Sequence, residues 1–406
     1  MAFELSNTQR KYFGLDPLES HWEKVALKGD EYPTEGYIFY DGDIIKRHIV
    51  SVDFRYSESN YHESTRNRTI LLPKSSKGKE KKLTSSTFGQ RNPIGVYLEV
   101  SNHGVITIGN HTTQTTFYSS RWDKPELVSE KSIAESVEEF ISQSPPDHLS
   151  QIEKFKRAKR KRVRFKSGNY FSFKISRERF GFGRVLLDIN KVRKAGLLTD
   201  KHGLHLLMGP PVLVQLFAFS APNPRINIVE LERAPTLPSD VMMDNVILYG
   251  EYELIGHKEL ADDEFEFPIS FGKSIDRRPV VFLQWGLIHR ELPLSIFDKY
   301  LVEDNPNVPT DSYSRRVTNP FGYYSIGFRP SFDSNDIFRT IESGGVYDFD
   351  SNKHFTALFD LRNPRNQDKR REILRAFGLD PDGSYEKNRK VTGTRATTDI
   401  IKALCN

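Results

Sequence analysis

Cysteine is almost absent from this chain of 406 residues: Cys405 is the single thiol. One thiol excludes an internal disulfide and leaves no cysteine cluster for zinc. No run of 18 or more apolar residues occurs, which excludes a membrane-spanning helix. The opening MAFELSNTQRKYFGLD lacks the uninterrupted apolar stretch of a signal peptide, so a cytoplasmic protein is expected. In that setting the sequons at Asn67 and Asn110 are expected to go unused. Neither sign of charge dominates, since 59 basic and 54 acidic residues leave a net +5. That balance neither demands nucleic acid nor fits an acidic DNA mimic.

The usual catalytic signatures are also missing. SSKGKEKK holds a Gly-Lys pair but lacks the upstream glycine and following hydroxyl of a phosphate loop. GFGR (Gly181 to Arg184) is not a GxGxxG turn; two glycines around an aromatic mark a strand that another group approaches closely. There is no GxSxG elbow, no HExxH, and Cys405 sits in a tail unsuited to a nucleophile. His202 and His205 are three apart, but the absence of nearby acidic partners favours a structural role over metal binding. His103 and His111 flank a predicted strand and could meet His62, although chance proximity of loop histidines accounts for that pattern equally. The expectation is a protein without catalytic residues, metal or cofactor.

What is abundant is aromatic. Phe, Tyr and Trp number 28, 17 and 3, which supplies large core side chains and favours strands. GYIFY followed by DGDIIKRHIVSV reads as a pair turned at Asp41-Gly42-Asp43; VYLEV and GVITIG read as a hairpin, with TTFY as a further strand. PKSSKGKEKKL, around Lys74 to Lys82, reads as an exposed lysine-rich excursion. A helix is expected from a cap at Asp123, with Leu127, Ile133, Val137, Phe140 and Ile141 on one face, ending at Pro145-Pro146. A second starts at Asp147.

From about Lys161 strand runs return: RVRFKSGNYFSFKI and FGFGRVLLDI around a turn at Ser176 to Arg179, then Val212 to Ala221, Asn245 to Leu254 and Pro279 to Ile288. A last helix is expected from Asn363 or Pro364 to Gly378. FGLDP occurs at Phe13 and again at Phe377, an echo that helix-end chemistry explains. The fold class expected is α+β and β-rich, with twisted antiparallel sheets or partly closed barrels in two units joined by a helical connector. The division expected is a β-rich domain at 1–122, a connector at 123–158, a second β-rich domain at 159–330 and a C-terminal segment at 331–406.

Charge is unevenly distributed. From Ile152 to Lys166 nine basic residues face one acidic residue; from Asp240 to Glu266 nine acidic residues face only Lys258. The basic block fits either a phosphate-binding strip or a solvated helix end. The acidic block ends in ADDEFEF, where Asp262, Asp263, Glu264, Phe265 and Glu266 combine charge with an aromatic anchor, as a surface for a basic partner would. The alternative is that the two blocks face each other.

Arg160 to about Arg290 resembles the immunity protein 26 family, some of whose relatives are labelled phosphotriesterase-like. The residues that carry the resemblance are Gly168, Tyr170, Phe171 and Phe173 in SGNYFSFKI, and Phe180, Gly181, Phe182, Gly183, Arg184 and Val185 in RFGFGRVL. LIGHKEL, the Phe267-Pro268 step and QWGLIHREL, with Trp285 and Gly286, follow in the family's order. Asn169 stands where the family carries an acidic residue. The resemblance implies a mainly β domain that protects a bacterium from a polymorphic secreted toxin by binding its effector domain directly. It implies no catalytic residues. Rival expectations are a nucleic-acid-binding protein using Lys154 to Lys166 and the lysine loop, and a metal-dependent phosphoester hydrolase.

Overall fold

The computed structural model describes the chain apart from residues 1–2, 28–35, 54, 66–77, 79–87, 90, 102–103, 124–130, 275, 277, 306–314, 323–326, 328, 352–354 and 405–406. The lysine-rich loop (Gly78 apart), His103, Asn67 and Cys405 therefore lie outside the described residues. The chain is α+β and strand-rich, 31% strand against 27% helix, in several antiparallel sheets, none closed into a barrel. Among the described residues no helix is long and apolar enough to cross a membrane. The chain divides into two compact units, Met1–Val163 with Tyr249–Glu251, and Arg164–Leu248 with Tyr252–Asn406.

The first unit is a seven-stranded meander in sequential order: β1 (Glu23–Leu27), β2 (Gly36–Asp41), β3 (Ile44–Val52), β4 (Arg55–Ser64), β5 (Ile94–Ser101), β6 (Ile106–Asn110) and β7 (Thr115–Ser119). Alternation sets its inner face, as in β5, where Val96, Leu98 and Val100 are buried. The expected β2–β3, β5–β6 and β7 runs are all present. The helix at Ile133–Ser142 starts from Ser132, whose hydroxyl and Glu135 form a capping box, and not from Asp123. Its Val137 and Phe140 pack with Ile152, from the helix His148–Lys156, against Val96 and Ile108.

β4 is too polar to stand out in the sequence, yet it carries the centre of this unit. Glu58 is wholly buried and accepts from Arg10 Nε (2.9 Å), from Arg47 Nη1 and from the Tyr56 hydroxyl (2.5 Å). Two guanidiniums and a phenol thus satisfy one carboxylate that water cannot reach.

The second unit holds a five-stranded sheet in the order β11-β10-β9-β8-β12, from β8 (Asn169–Lys174), β9 (Phe180–Leu187), β10 (Pro211–Ala221), β11 (Asp240–Met243) and β12 (Glu253–His257). A three-stranded sheet follows, β13 (Ile269–Lys273), β14 (Val280–Trp285) and β15 (Ile288–Pro293), then a small pair, β16 (Val302–Asp304) and β17 (Arg316–Thr318). Two expected strands are different. Asn245–Leu248 forms a helical turn that buries Val246 and Ile247, and the strand begins only at Glu253. Pro279 to Ile288 is not one run: it turns at Gly286, where a Cβ would lie 2.6 Å from the Phe267 ring.

One face of the five-stranded sheet packs Phe171, Phe173, Val185 and Leu216 with Ile337 of the helix Ser334–Glu342. Leu187, Leu213 and Val241 instead join β13–β15 and the C-terminal helices, through Ile373, Leu374, Phe377 and Tyr385. The expected helix is found as a turn at Pro364–Asn366 capped by Asn363, continued by Gln367–Ala376. Both FGLDP copies close a helical turn in the same way. Gly14 and Gly378 take φ of 69° and 72°, and the next N–H reaches back five residues, Leu15 to Arg10 and Leu379 to Leu374.

Glu58→Ala leaves two buried guanidiniums uncompensated, and the urea transition of the first unit is expected to lose about 3–5 kcal/mol. Glu58→Gln, which keeps the acceptor without the charge, falls between. An unchanged midpoint for Glu58→Ala rejects the central role given to this carboxylate.

Candidate functional site

The β8–β9 hairpin shows why its glycines alternate with aromatics. Phe171 pairs across with Gly183, and Phe173 with Gly181. A Cβ at Gly183 would stand 2.4 Å from the Phe171 ring, and one at Gly181 2.8 Å from that of Phe173, so each ring lies over a bare backbone. The next pair sets Arg184 beside Tyr170, with its guanidinium 4.9 Å from the ring centre.

Arg184 then leaves the sheet to hold the segment after β12. Its Nη1 donates to Glu264 at 2.6 Å, and its Nη2 to the carbonyls of Lys258 (3.0 Å) and Glu259 (3.3 Å). The side chain is 7% exposed, so these contacts replace water rather than compete with it. Gly168 grips the same segment from the other end: it accepts from the Lys258 N–H at 3.1 Å. Its φ of 86° and a would-be Cβ 2.3 Å from the Lys258 oxygen leave no room for another residue. Asn169 accepts from the Lys166 N–H at 2.8 Å and donates its amide to the Gly256 carbonyl at 3.3 Å. A carboxylate could not make the second bond.

The acidic segment so held is a single 3₁₀ turn, Asp262–Glu264. Burial opposes the charge of Glu264, but the Ala261 N–H and the Arg184 guanidinium outweigh it and hold its carboxyl below the usual range. Glu266 accepts from the Ser239 N–H and, at 2.8 and 3.0 Å, from Arg362, which also pairs with Asp360. Asp262 accepts from the Thr398 hydroxyl at 2.8 Å. Asp263 is exposed. Phe265 is buried and stacks on Phe267 with ring centres 5.9 Å apart, so the aromatic anchor expected at the surface belongs to the core. Three of the five candidates are thus tied inward on one side. Arg362 lies 96 residues from Glu266 and Thr398 136 residues from Asp262, and no local signal announces either.

The remaining candidates are placed as follows. Trp285 ends β14 and meets Tyr385 edge-on at 5.6 Å, while the Tyr385 hydroxyl accepts from the Leu287 N–H at 3.0 Å. His202 is buried: Nδ1 accepts from the Leu204 N–H and Nε2 contacts the Leu287 carbonyl, both at 3.2 Å. Burial lowers its pKa to about 4. His205 lies 3.9 Å from Asp200. His111 stacks on Tyr97, and His62 is exposed. Among the described residues no group of three or more His, Cys, Asp or Glu is placed to hold a metal ion. In the basic block Lys156 pairs with Asp16 and Arg157 with Glu153, and residues 157–162 are exposed and irregular.

Residues 166–278 match the family model for immunity protein 26. The match is a little over a quarter of the chain; it runs from just before Gly168 to the residues before β14 and includes Arg184 and the acidic segment. QWGLIHREL lies beyond it. No curated protein and no solved structure matches the chain.

Removing the guanidinium by Arg184→Ala is expected to raise hydrogen exchange of the amides at 258–266 at least tenfold, with Arg184→Lys between, since a lysine cannot serve three acceptors as a planar fork does. Protection equal to wild type in Arg184→Ala would mean the segment is held without it. His202 supplies a pH test. Its folded pKa of about 4 lies below the ordinary 6.5, so its contribution is complete above pH 6.5 and fades as pH falls toward 4. By pH 4.5 the loss amounts to about 2–3 kcal/mol. In His202→Gln, urea midpoints at pH 7 and 4.5 should differ less than in wild type; an equal difference rejects the assignment.

Proposed function

We propose that this protein is a bacterial immunity protein that neutralises a polymorphic secreted toxin by binding its effector domain stoichiometrically and covering the active site. The match of residues 166–278 to the immunity protein 26 model carries this reading. In it the chain acts by occlusion, without a reaction or cofactor of its own.

The docking surface proposed is the acidic turn. Glu264 and Glu266 are one-third exposed while bound to Arg184 and Arg362, and Asp263 faces solvent next to them. A turn already held by buried contacts loses little freedom on binding. Its negative edge would steer a basic cleft, such as a nuclease toxin presents, toward contact.

The test is co-expression in a bacterial host with the toxin domain encoded beside this gene. Wild type is expected to protect and to co-purify with the toxin. Asp263→Lys reverses charge at a position outside the Arg184 and Arg362 contacts, and should weaken the complex about tenfold. Full affinity in Asp263→Lys would remove this surface, and a wild type that neither protects nor co-purifies would remove the immunity reading. The exposed cations at 157–162 support one rival. A wild type that fails to protect but shifts labelled DNA or RNA, with affinity falling steeply as salt rises, would establish nucleic-acid binding instead.

A further inference from the structure

The three-stranded sheet of the second unit has an open edge. Its order is β13-β14-β15, so β15 pairs with β14 alone. Two bonds fix which way each backbone group turns. The Ser274 N–H donates to the Val280 carbonyl at 3.1 Å, and the Leu294 N–H to the Pro279 carbonyl at 2.8 Å. Residues 280, 282 and 284 of β14 therefore face β13, while 281, 283 and 285 face β15. Val281 lies opposite Leu292, Leu283 opposite Arg290 and Trp285 opposite Ile288, and these six bond across the hairpin. His289 and Glu291 must then turn their N–H and C=O groups away from β14. None of these four groups has a partner among the described residues. Pro293, with no N–H to offer, ends the open stretch.

An unpaired edge is a template for another backbone, and a bulge is one way to blunt it. β15 pairs with β14 without a bulge, and its two outward residues stand beside a cavity of about 270 Å³. His289 and Glu291 line that cavity together with Phe282 and Gln284 of β14. Their side chains alternate along the strands, so they share one face of the sheet. Leu187, Leu213 and Val241 add apolar wall, and the exposed Leu206 and Met208 line the cavity toward solvent.

Polar groups line it as well. The Ser274 hydroxyl donates to Asp276 at 2.8 Å, and Arg278 takes up Glu291 at 2.6 and 2.7 Å. Gln284 meets the Gly286 and Ile288 carbonyls and the Gly203 N–H. Ser270 is buried in the sheet, and Lys201 is exposed. An apolar side chain can enter without breaking any of these bonds. For scale, a cavity of roughly 150 Å³ holds benzene, so this one has room for a leucine or phenylalanine side chain. The other face of β15 differs. Arg290 is exposed there, and among the described residues its guanidinium reaches only the Phe377 carbonyl, at 3.4 Å.

We propose that β15 is a docking edge for an extended peptide, which adds an antiparallel strand to the sheet and places a large apolar side chain in the cavity. The peptide backbone answers the four open groups of His289 and Glu291. A residue opposite either of them has its own N–H and C=O turned to β15 and its side chain on the cavity face. The residue between, opposite Arg290, turns its N–H outward and lies on the other face, where an acid suits the guanidinium. The segment preferred is therefore apolar, acidic, apolar. Main-chain bonds give it affinity, and the cavity gives it selectivity. β15 lies beyond the match at 166–278, and the inference stands independently of the toxin reading.

The probes are acetylated, amidated peptides Thr-X-Glu-X-Thr, with X leucine, phenylalanine, methionine or valine, added to the full chain labelled with ¹⁵N. At least one is expected to bind with Kd below about 1 mM. At saturation it should slow hydrogen exchange of the His289 and Glu291 amides about tenfold. Alanine at both X positions should weaken binding at least about tenfold. N-methylation separates strand addition from capture of a side chain alone. On an X residue it should cost about tenfold or more, and on the central Glu, whose N–H faces away, less than about threefold. Glu291→Pro removes an outward N–H and should lose the peptide, whereas Glu291→Gln keeps that N–H and should bind. Protected Arg290 and Leu292 amides in both variants show the hairpin intact. The proposal is overturned if no probe binds, if both N-methylations are tolerated alike, or if protection appears only elsewhere. It is equally overturned if the free chain forms a dimer in which these amides are already protected, since the edge would then belong to a second copy.

Discussion

A guanidinium cannot shed its charge, so wherever Arg184 is buried the chain must bring acceptors to it. Three arrive from one short stretch, the Glu264 carboxylate and the carbonyls of Lys258 and Glu259. This requirement shapes much of the second unit. Glycines at 181 and 183 let the aromatic hairpin close, the hairpin presents Arg184 beside Tyr170, and Arg184 draws in the chain that leads from β12 to β13. Gly168 completes the grip from the opposite side. The conspicuous residues of the hairpin are thereby explained as parts of one mechanical linkage ending in the acidic turn.

The first unit solves a related problem with the signs exchanged. There the buried carboxylate of Glu58 collects two guanidiniums and a phenol. Buried ion groups of this kind add little net stability compared with apolar side chains of the same size, but breaking one is costly, because it strands a charge away from water. They specify which strands and turns must meet.

Legibility followed the range of the interactions. Hairpins with alternating apolar residues, the Ser176 to Arg179 turn, the C-terminal helix with its Gly378 stop and the twin FGLDP ends all depend on neighbours within a few residues, and all could be read. β4 could not, because its buried residues Tyr56, Glu58 and Tyr61 include a carboxylate, whose partner Arg10 lies 48 residues away. Asn245–Leu248 reads as strand because its apolar run suits a buried helical turn equally. At the acidic site the cluster itself was plain, but the inward role of Phe265 and the pairing of Glu266 with Arg362 were not.

The amino-acid sequence by itself determined the strand-rich α+β character, most of the places where the backbone turns, the absence of an internal disulfide and the hairpin that lies within the match of residues 166–278 to the immunity protein 26 model. Each follows from local periodicity, from composition or from the conformations a glycine or a cap allows. Only the tertiary structure decided which charges are spent inside the protein and which remain outside. It alone also placed Gln284, His289 and the leucines of separate strands around one cavity. Coulomb pairs and cavities form between residues that the chain brings together from far apart, and their spacing along the sequence carries no trace of that meeting.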